Sequence, residues 1–236
     1  MPFINSITYY PKAGTAEDFR SLVEDHVHMM QAAGIEASLS ATAWGEDYPT
    51  YRIGQRYVTL ADCEQYRAAS ADATRRLAAA VAPLTRQPNT LAFSQSLQRT
   101  NQSGAVANWS QWTTHTPTFG KSLELRELLI ERGDVYKVAG RRTTLSLQIA
   151  GPESGVYVRT FSYASLADLE EWRARGVDDE TEEAFVQRLS LLVSRPLETS
   201  CPGDARPLRA VIAGRSTPES TPPVPTQRLS QNSGRR

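Results

Sequence analysis

The sequence is poor in the residues on which much recognisable chemistry depends. Its two cysteines, Cys63 and Cys201, are too few and too far apart for a disulfide framework or a zinc site. Three histidines are present, His26, His28 and His115. The first two stand two positions apart, which on a helix turns the rings away from each other, so no metal site is expected. Neither sign of charge is in surplus: 26 Lys and Arg balance 26 Asp and Glu. That removes the electrostatic case for nucleic acid or an anionic membrane as partner. No apolar run has transmembrane length, and the first residues lack the charged and apolar regions of a signal peptide, so a cytoplasmic location is expected. The G-x-G-x-x-G, Walker A, G-x-S-x-G and H-E-x-x-H patterns are all missing, and with them support for nucleotide cofactors, P-loop chemistry, triad hydrolysis and zinc proteolysis.

What is present is a repeat. Tyr57-Val-Thr-Leu-Ala-Asp-Cys-Glu-Gln-Tyr-Arg-Ala68 returns as Tyr163-Ala-Ser-Leu-Ala-Asp-Leu-Glu-Glu-Trp-Arg-Ala174. The match runs without gaps for roughly seventy residues at one constant offset. Pro11 and Gly14 fall on Pro117 and Gly120, Gly34 on Gly140, Gly45 on Gly151, and Tyr51 on Tyr157. A domain-sized period divides the 236 residues into units at 1–100 and 106–214. Residues 99–105 read as a polar linker. Residues 215–236, rich in Ser, Thr, Pro and Arg without apolar periodicity, read as a disordered tail.

Each unit has the same element order. Residues 3–10 have strand composition, and Pro11 to Gly14 make a turn. Thr15 is a candidate N-cap for a helix that places Phe19, Leu22, Val23, Val27 and Met30 on one stripe, ended by Gly34. Alternation over 37–44, a turn at 45–49 and a strand at 51–57 make a hairpin. Helices capped by Thr59 and Ser165 follow, then second helical segments over 71–84 and roughly 180–193. A strand over 90–97 closes the first half. The second half begins with a strand at 109–116, and after a loop at 198–206 a last strand is expected near 208–213. The fold class is therefore α+β: two tandem ferredoxin-like β-α-β-β-α-β units whose sheets face each other as an intramolecular pseudo-dimeric α+β barrel.

This order, with Pro11 to Gly14, Phe19, Gly34 and Leu60-Ala-Asp62, resembles the dimeric α+β barrel superfamily, over about residues 3–214. The superfamily includes antibiotic-biosynthesis-type monooxygenases, EthD-like proteins, chlorite dismutases and NIPSNAP proteins. The resemblance implies an enzyme acting on a small apolar or aromatic metabolite in the barrel lumen, by cofactor-independent oxygenation, isomerisation, cyclisation or dehydration. It implies no required cofactor, with haem as the alternative, and admits a homodimer of pseudo-dimers. The competing implication is a non-catalytic, NIPSNAP-like metabolite- or protein-binding role.

Several residues could carry such chemistry. His26 falls in the middle of the apolar helical stripe, where imidazole must find a partner or change its charge state; it is either an acid/base (or haem ligand) or a structural histidine. Tyr9 and His115 occupy matching positions on the two first strands and would meet a ligand from opposite halves if that face lines the lumen, His115 as an acid/base and Tyr9 as a hydrogen-bond donor; the alternative for His115 is a surface histidine. Ser38, Ser40, Thr42 and Trp44 lie opposite the helix-covered face, which in a closed barrel makes them pocket lining. Arg52 and Arg56 share one face of their strand, whereas Tyr51 shares the other. In the copy, Arg159 stands on the Tyr157 face instead. Tyr51 could donate a hydrogen bond, and Arg52 or Arg159 could hold an anionic group; arginines at sheet edges also serve as solubilisers.

Overall fold

The computed structural model describes residues 2–42, 50–101, 109–175, 179–194 and 198–200. The first half runs β1 (Phe3–Tyr9), α1 (Ala16–Ala32), β2 (Glu36–Ala41), β3 (Tyr51–Tyr57), α2 (Leu60–Ala69), α3 (Ala71–Val81) and β4 (Thr90–Thr100). The second runs β5 (Trp109–His115), α4 (Ser122–Val138), β6 (Thr143–Ala150), β7 (Tyr157–Tyr163), α5 (Leu166–Arg175), α6 (Asp179–Ser190) and β8 (Glu198–Ser200). The short β8 lies where the sequence suggested loop, and it pairs with β5. The strand expected near 208–213, the turn at 45–49 and the tail lie outside the described residues.

Local chemistry explains the boundaries. Phe19, Val23, Val27 and Met30 recur at helical spacing and are buried along α1. Thr59 caps α2 in a reciprocal box: the Asp62 amide donates to its hydroxyl at 3.1 Å, and the Thr59 amide donates to the Asp62 carboxylate at 2.8 Å. Ser165 and Asp168 repeat the device at α5, with the Ala164 amide as second donor. Thr15 departs from expectation: its hydroxyl makes no cap bond and instead donates to the carbonyls of Lys12 and Leu84.

The eight described strands join one antiparallel sheet in the order β2-β3-β1-β4-β6-β7-β5-β8. The β1–β3 ladder pairs Phe3 with Tyr57 and Tyr9 with Tyr51; the β5–β7 ladder pairs Trp109 with Tyr163 and His115 with Tyr157. These registers coincide at the offset of the sequence repeat. The halves meet along β4–β6, a seam running from Phe93–Ala150 to Thr100–Thr143 with two register shifts. β4 extends to Thr100, into the expected linker, because β6 supplies the partner. Gln98 strengthens the junction by donating to the Ile130 carbonyl at 3.1 Å and the Asp134 carboxylate at 3.0 Å, both on α4.

The helices cover one face. Tyr9, Tyr51 and Ile53 pack there against Phe19, Val23 and Met30, and Leu145 and Tyr157 against Leu125, Leu129 and Leu189. The opposite face is concave: the Arg52 guanidinium on β3 sits 5.7 Å from the Trp112 ring centre on β5, although these strands are second and seventh in the sheet.

Candidate functional site

The concave face holds a cavity of about 350 Å³. Its lining comes from strands β1 to β6 and a turn, with Thr8, Ser40, Arg52, Thr90, Trp112 and Glu153 among it. Side-chain alternation along β1, β2 and β3 sends Thr8, Ser40 and Arg52 to this face and their neighbours to the helices. Glu153 arrives on the turn after β6. Gly151 opens that turn at φ 117, and a Cβ there would lie 2.6 Å from the Leu91 carbonyl, so only glycine lets the turn rest on β4.

Arg52 is the chemical centre of the cavity. Its Nη2 donates to Ser6 Oγ at 3.1 Å, and its charge lies over the Trp112 ring. Burial lowers its pKa and the Glu153 carboxylate opposes that shift, yet a guanidinium stays protonated in such surroundings. Hydroxyls complete the wall. Tyr10 and Thr90 share a hydrogen bond of 3.1 Å, Thr42 and Thr50 one of 2.8 Å, and Ser40 donates to the Arg52 carbonyl at 3.4 Å. Each hydroxyl keeps accepting capacity, because it offers two lone pairs and one proton. The cavity thus presents a flat ring, a fixed cation and several hydroxyls.

The sequence candidates divide between the two faces. Ser40, Thr42 and Arg52 line the cavity; Trp44 lies outside the described residues. Tyr9, His115, Tyr51 and Arg159 belong to the helix-covered face, so Tyr9 and His115 do not approach a common space across the concavity. Tyr9 tilts against Phe19 at 5.4 Å, and burial raises its pKa to about 12. Tyr51 donates to the Ala16 carbonyl at 3.3 Å. His26 is buried on α1, where desolvation lowers its pKa. Neither His26 nor His115 lines this cavity or the smaller ones of about 320 and 200 Å³, so neither offers a haem ligand to an open space there. Among the described residues no group of His, Cys, Asp or Glu could hold a metal ion, and no helix is long and apolar enough to cross a membrane.

Arg159 belongs to a second, hidden constellation. It is 2% exposed and donates to the Leu129 carbonyl and, at 3.3 Å, to Thr143 Oγ1. Arg132, Arg141 and Arg159 surround the Tyr136 ring at 4.9, 5.4 and 5.3 Å. Arg132 pairs with Glu182, and Arg141 lies 4.2 Å over Trp172. Desolvation, aided by the Arg159 charge, pushes His115 down to about 3; desolvation likewise lowers Arg159 to about 10.

Sequence reasoning missed Trp112, Tyr10 and Glu153. Trp112 had a visible signal: at the repeat offset it replaces Ser6, a large ring in place of a small hydroxyl.

No protein-family model and no curated protein matches the sequence. Solved structures do share the fold. A candidate monooxygenase from Fusobacterium nucleatum subsp. nucleatum superposes with a TM-score of 0.64 at 12% identity, covering 85% of this chain and 90% of its own. One from Lactobacillus acidophilus gives 0.61 at 10% identity, over 84% and 91% of the two chains. An anthrone oxidase-like protein gives 0.58 at 15% identity, over 86% and 94%. At these identities the likeness is one of fold.

Proposed function

We propose that the chain is an enzyme for a small aromatic substrate bearing an ionisable oxygen, bound on the concave face and oxidised without a cofactor. The observation that carries this reading is the Arg52–Trp112 pair inside the cavity. A phenol or enol seated on Trp112 would lose its proton most readily beside a fixed cation, because Arg52 stabilises the oxyanion as it forms. Glu153, a carboxylate among the cavity's described lining residues, would accept that proton. An enolate of this kind is electron-rich enough to reduce dioxygen directly. A ring methylene becomes a carbonyl, one oxygen atom enters the product, and the other leaves as water. The fold shared with candidate monooxygenases and an anthrone oxidase-like protein supports this choice of chemistry.

The proposal includes the architecture around the site: units at 1–100 and 106–214 that form one pseudo-dimeric barrel, supported by the coincident β1–β3 and β5–β7 registers. Oxygen uptake with anthrone as substrate tests the function. Arg52→Gln is expected to lower kcat/KM about a hundredfold, the size of losing one oxyanion donor. Uptake equal in wild type and Arg52→Gln would sink the assignment. Tight binding of anthrone with no oxygen uptake in either would favour a second reading, ligand capture without turnover, which suits a cavity whose lining includes no histidine.

A further inference from the structure

The wall of the cavity differs between the halves at one backbone rung. In the first half the Thr42 amide donates to the Thr50 carbonyl at 3.0 Å, and in the second the Gln148 amide donates to the Val156 carbonyl at 2.9 Å. These pairs stand at the repeat offset, so the same rung is built twice. The side chains on it are not the same. Thr42 Oγ1 shares its 2.8 Å bond with Thr50 Oγ1 and accepts from the Thr50 amide at 3.0 Å. Val156 puts a methyl group in place of the Thr50 hydroxyl, and Gln148 puts a longer polar group in place of Thr42. The second half keeps the polar group and removes its partner.

Gln148 is 6% exposed. Its carboxamide makes no hydrogen bond to any described residue, Ser94 across the β4–β6 ladder included. A buried amide left without a partner is destabilising, and folded proteins seldom leave one so. Gln148 is not sealed in the core, however: it lines the cavity that holds Arg52 and Trp112. A Cβ at Gly151 would come within 3.2 Å of Gln148 Nε2, so the glycine that seats the turn on β4 also gives the carboxamide its room.

The chemistry of this group complements that of Arg52. A guanidinium only donates and suits an ionised oxygen, whereas a carboxamide both donates and accepts and suits a neutral hydroxyl or carbonyl. We infer that Gln148 is a specificity-determining residue, which hydrogen-bonds a second, neutral oxygen on the ring system whose ionised oxygen lies at Arg52. This rests on the function proposed above and narrows its substrate class to aromatic compounds bearing two oxygen functions of different character. A molecule lacking the second oxygen leaves the amide stranded, and a site that strands a buried polar group discriminates against that molecule.

The test is calorimetry on the full chain without oxygen, so that binding is read apart from turnover. The probes are 1,3-, 2,6- and 2,7-dihydroxynaphthalene, with 4-, 6- and 7-methyl-2-naphthol filling the same positions without a hydrogen bond. In wild type one dihydroxy isomer is expected to bind about tenfold tighter than its methyl counterpart, the worth of one hydrogen bond made by an otherwise unpaired amide. Gln148→Met, which keeps the length of the side chain, should abolish that advantage; Arg52→Gln should weaken every probe and keep it. In wild type the favoured isomer should also shift the Gln148 Nε2 proton resonances further than the methyl compound does, a readout that needs no variant. Binding that depends on Arg52 but favours no dihydroxy isomer overturns the inference and leaves the proposed function standing. An advantage that Gln148→Met abolishes, on probes that Arg52→Gln does not weaken, upholds the role of Gln148 and overturns that of Arg52. An advantage that survives Gln148→Met with the carboxamide protons unmoved overturns the inference, as does a chain that binds none of the probes.

Discussion

The two helix-covered layers of this molecule share a backbone plan and differ in what fills it. In the first, Ile53, Ile35, Tyr9 and His26 stand where the second has Arg159, Arg141, His115 and Arg132. The first layer is apolar, with a neutral hydrogen-bond set in which Asn5 donates to Gln55 at 2.8 Å and Tyr57 donates to Gln55 at 2.9 Å. The second holds three guanidinium groups around one tyrosine ring, with Glu182 as the ion-pair partner of Arg132. One fold therefore accommodates both solutions. Arginine is tolerated because its planar group stacks on Tyr136, Phe161, Trp172 and Phe185, none of which needs an opposite charge.

Exchanging residues between the layers tests how far each is committed to its own filling. Ile53→Arg is the most damaging exchange, because Ile53 is fully buried among apolar neighbours and Met30 stands where the second layer has the Tyr136 ring. Urea unfolding should show a loss of about 3–5 kcal/mol, the cost of an uncompensated buried charge. Next comes His115→Tyr, read as a pH profile. Folded His115 titrates near 3 against 6.5 in the unfolded chain. Its contribution is complete above about 6.5 and is lost as pH falls, since the unfolded chain takes up the proton first. The wild type should therefore lose about 3 kcal/mol from this group between pH 7 and pH 4, and the variant should not. A smaller change of opposite sign is expected for Arg159→Ile, which gives the second layer the filling of the first: a gain of about 2 kcal/mol as a desolvated charge is removed. The smallest effects fall where the layers agree. Asp62→Ala and Asp168→Ala should each cost about 1 kcal/mol, and a marked inequality between them would show that the two caps are not equivalent.

The repeat made much of the fold legible. Helix stripes, paired turns and capping residues recur at one offset, and two independent copies of a weak signal support each other. The site was less legible for a physical reason. Alternation reveals a buried face when polar and apolar residues segregate, and here both faces of the first strand are mixed: Phe3, Asn5, Ile7 and Tyr9 against Ile4, Ser6, Thr8 and Tyr10. Parity could not say which set met the helices. The hydroxyls of β2 were easier, because Ala37 and Leu39 beside Ser38 and Ser40 leave no such ambiguity. Trp112 and Glu153 meet Arg52 only through the curl of the sheet, a long-range arrangement that no local pattern encodes. β8 was missed because its three residues carry too short a pattern to register against the Pro and Gly that follow.

The β4–β6 seam has a consequence for how the protein comes apart. β4 is hydrogen-bonded to β1 on one edge and to β6 on the other, while Gln98 reaches from it to α4. Melting either half strips a paired edge from the other, so the halves are wired into one cooperative unit rather than two beads on a string. Heat should find a single transition, and the amides of β4 should be among the last to surrender their protons to solvent.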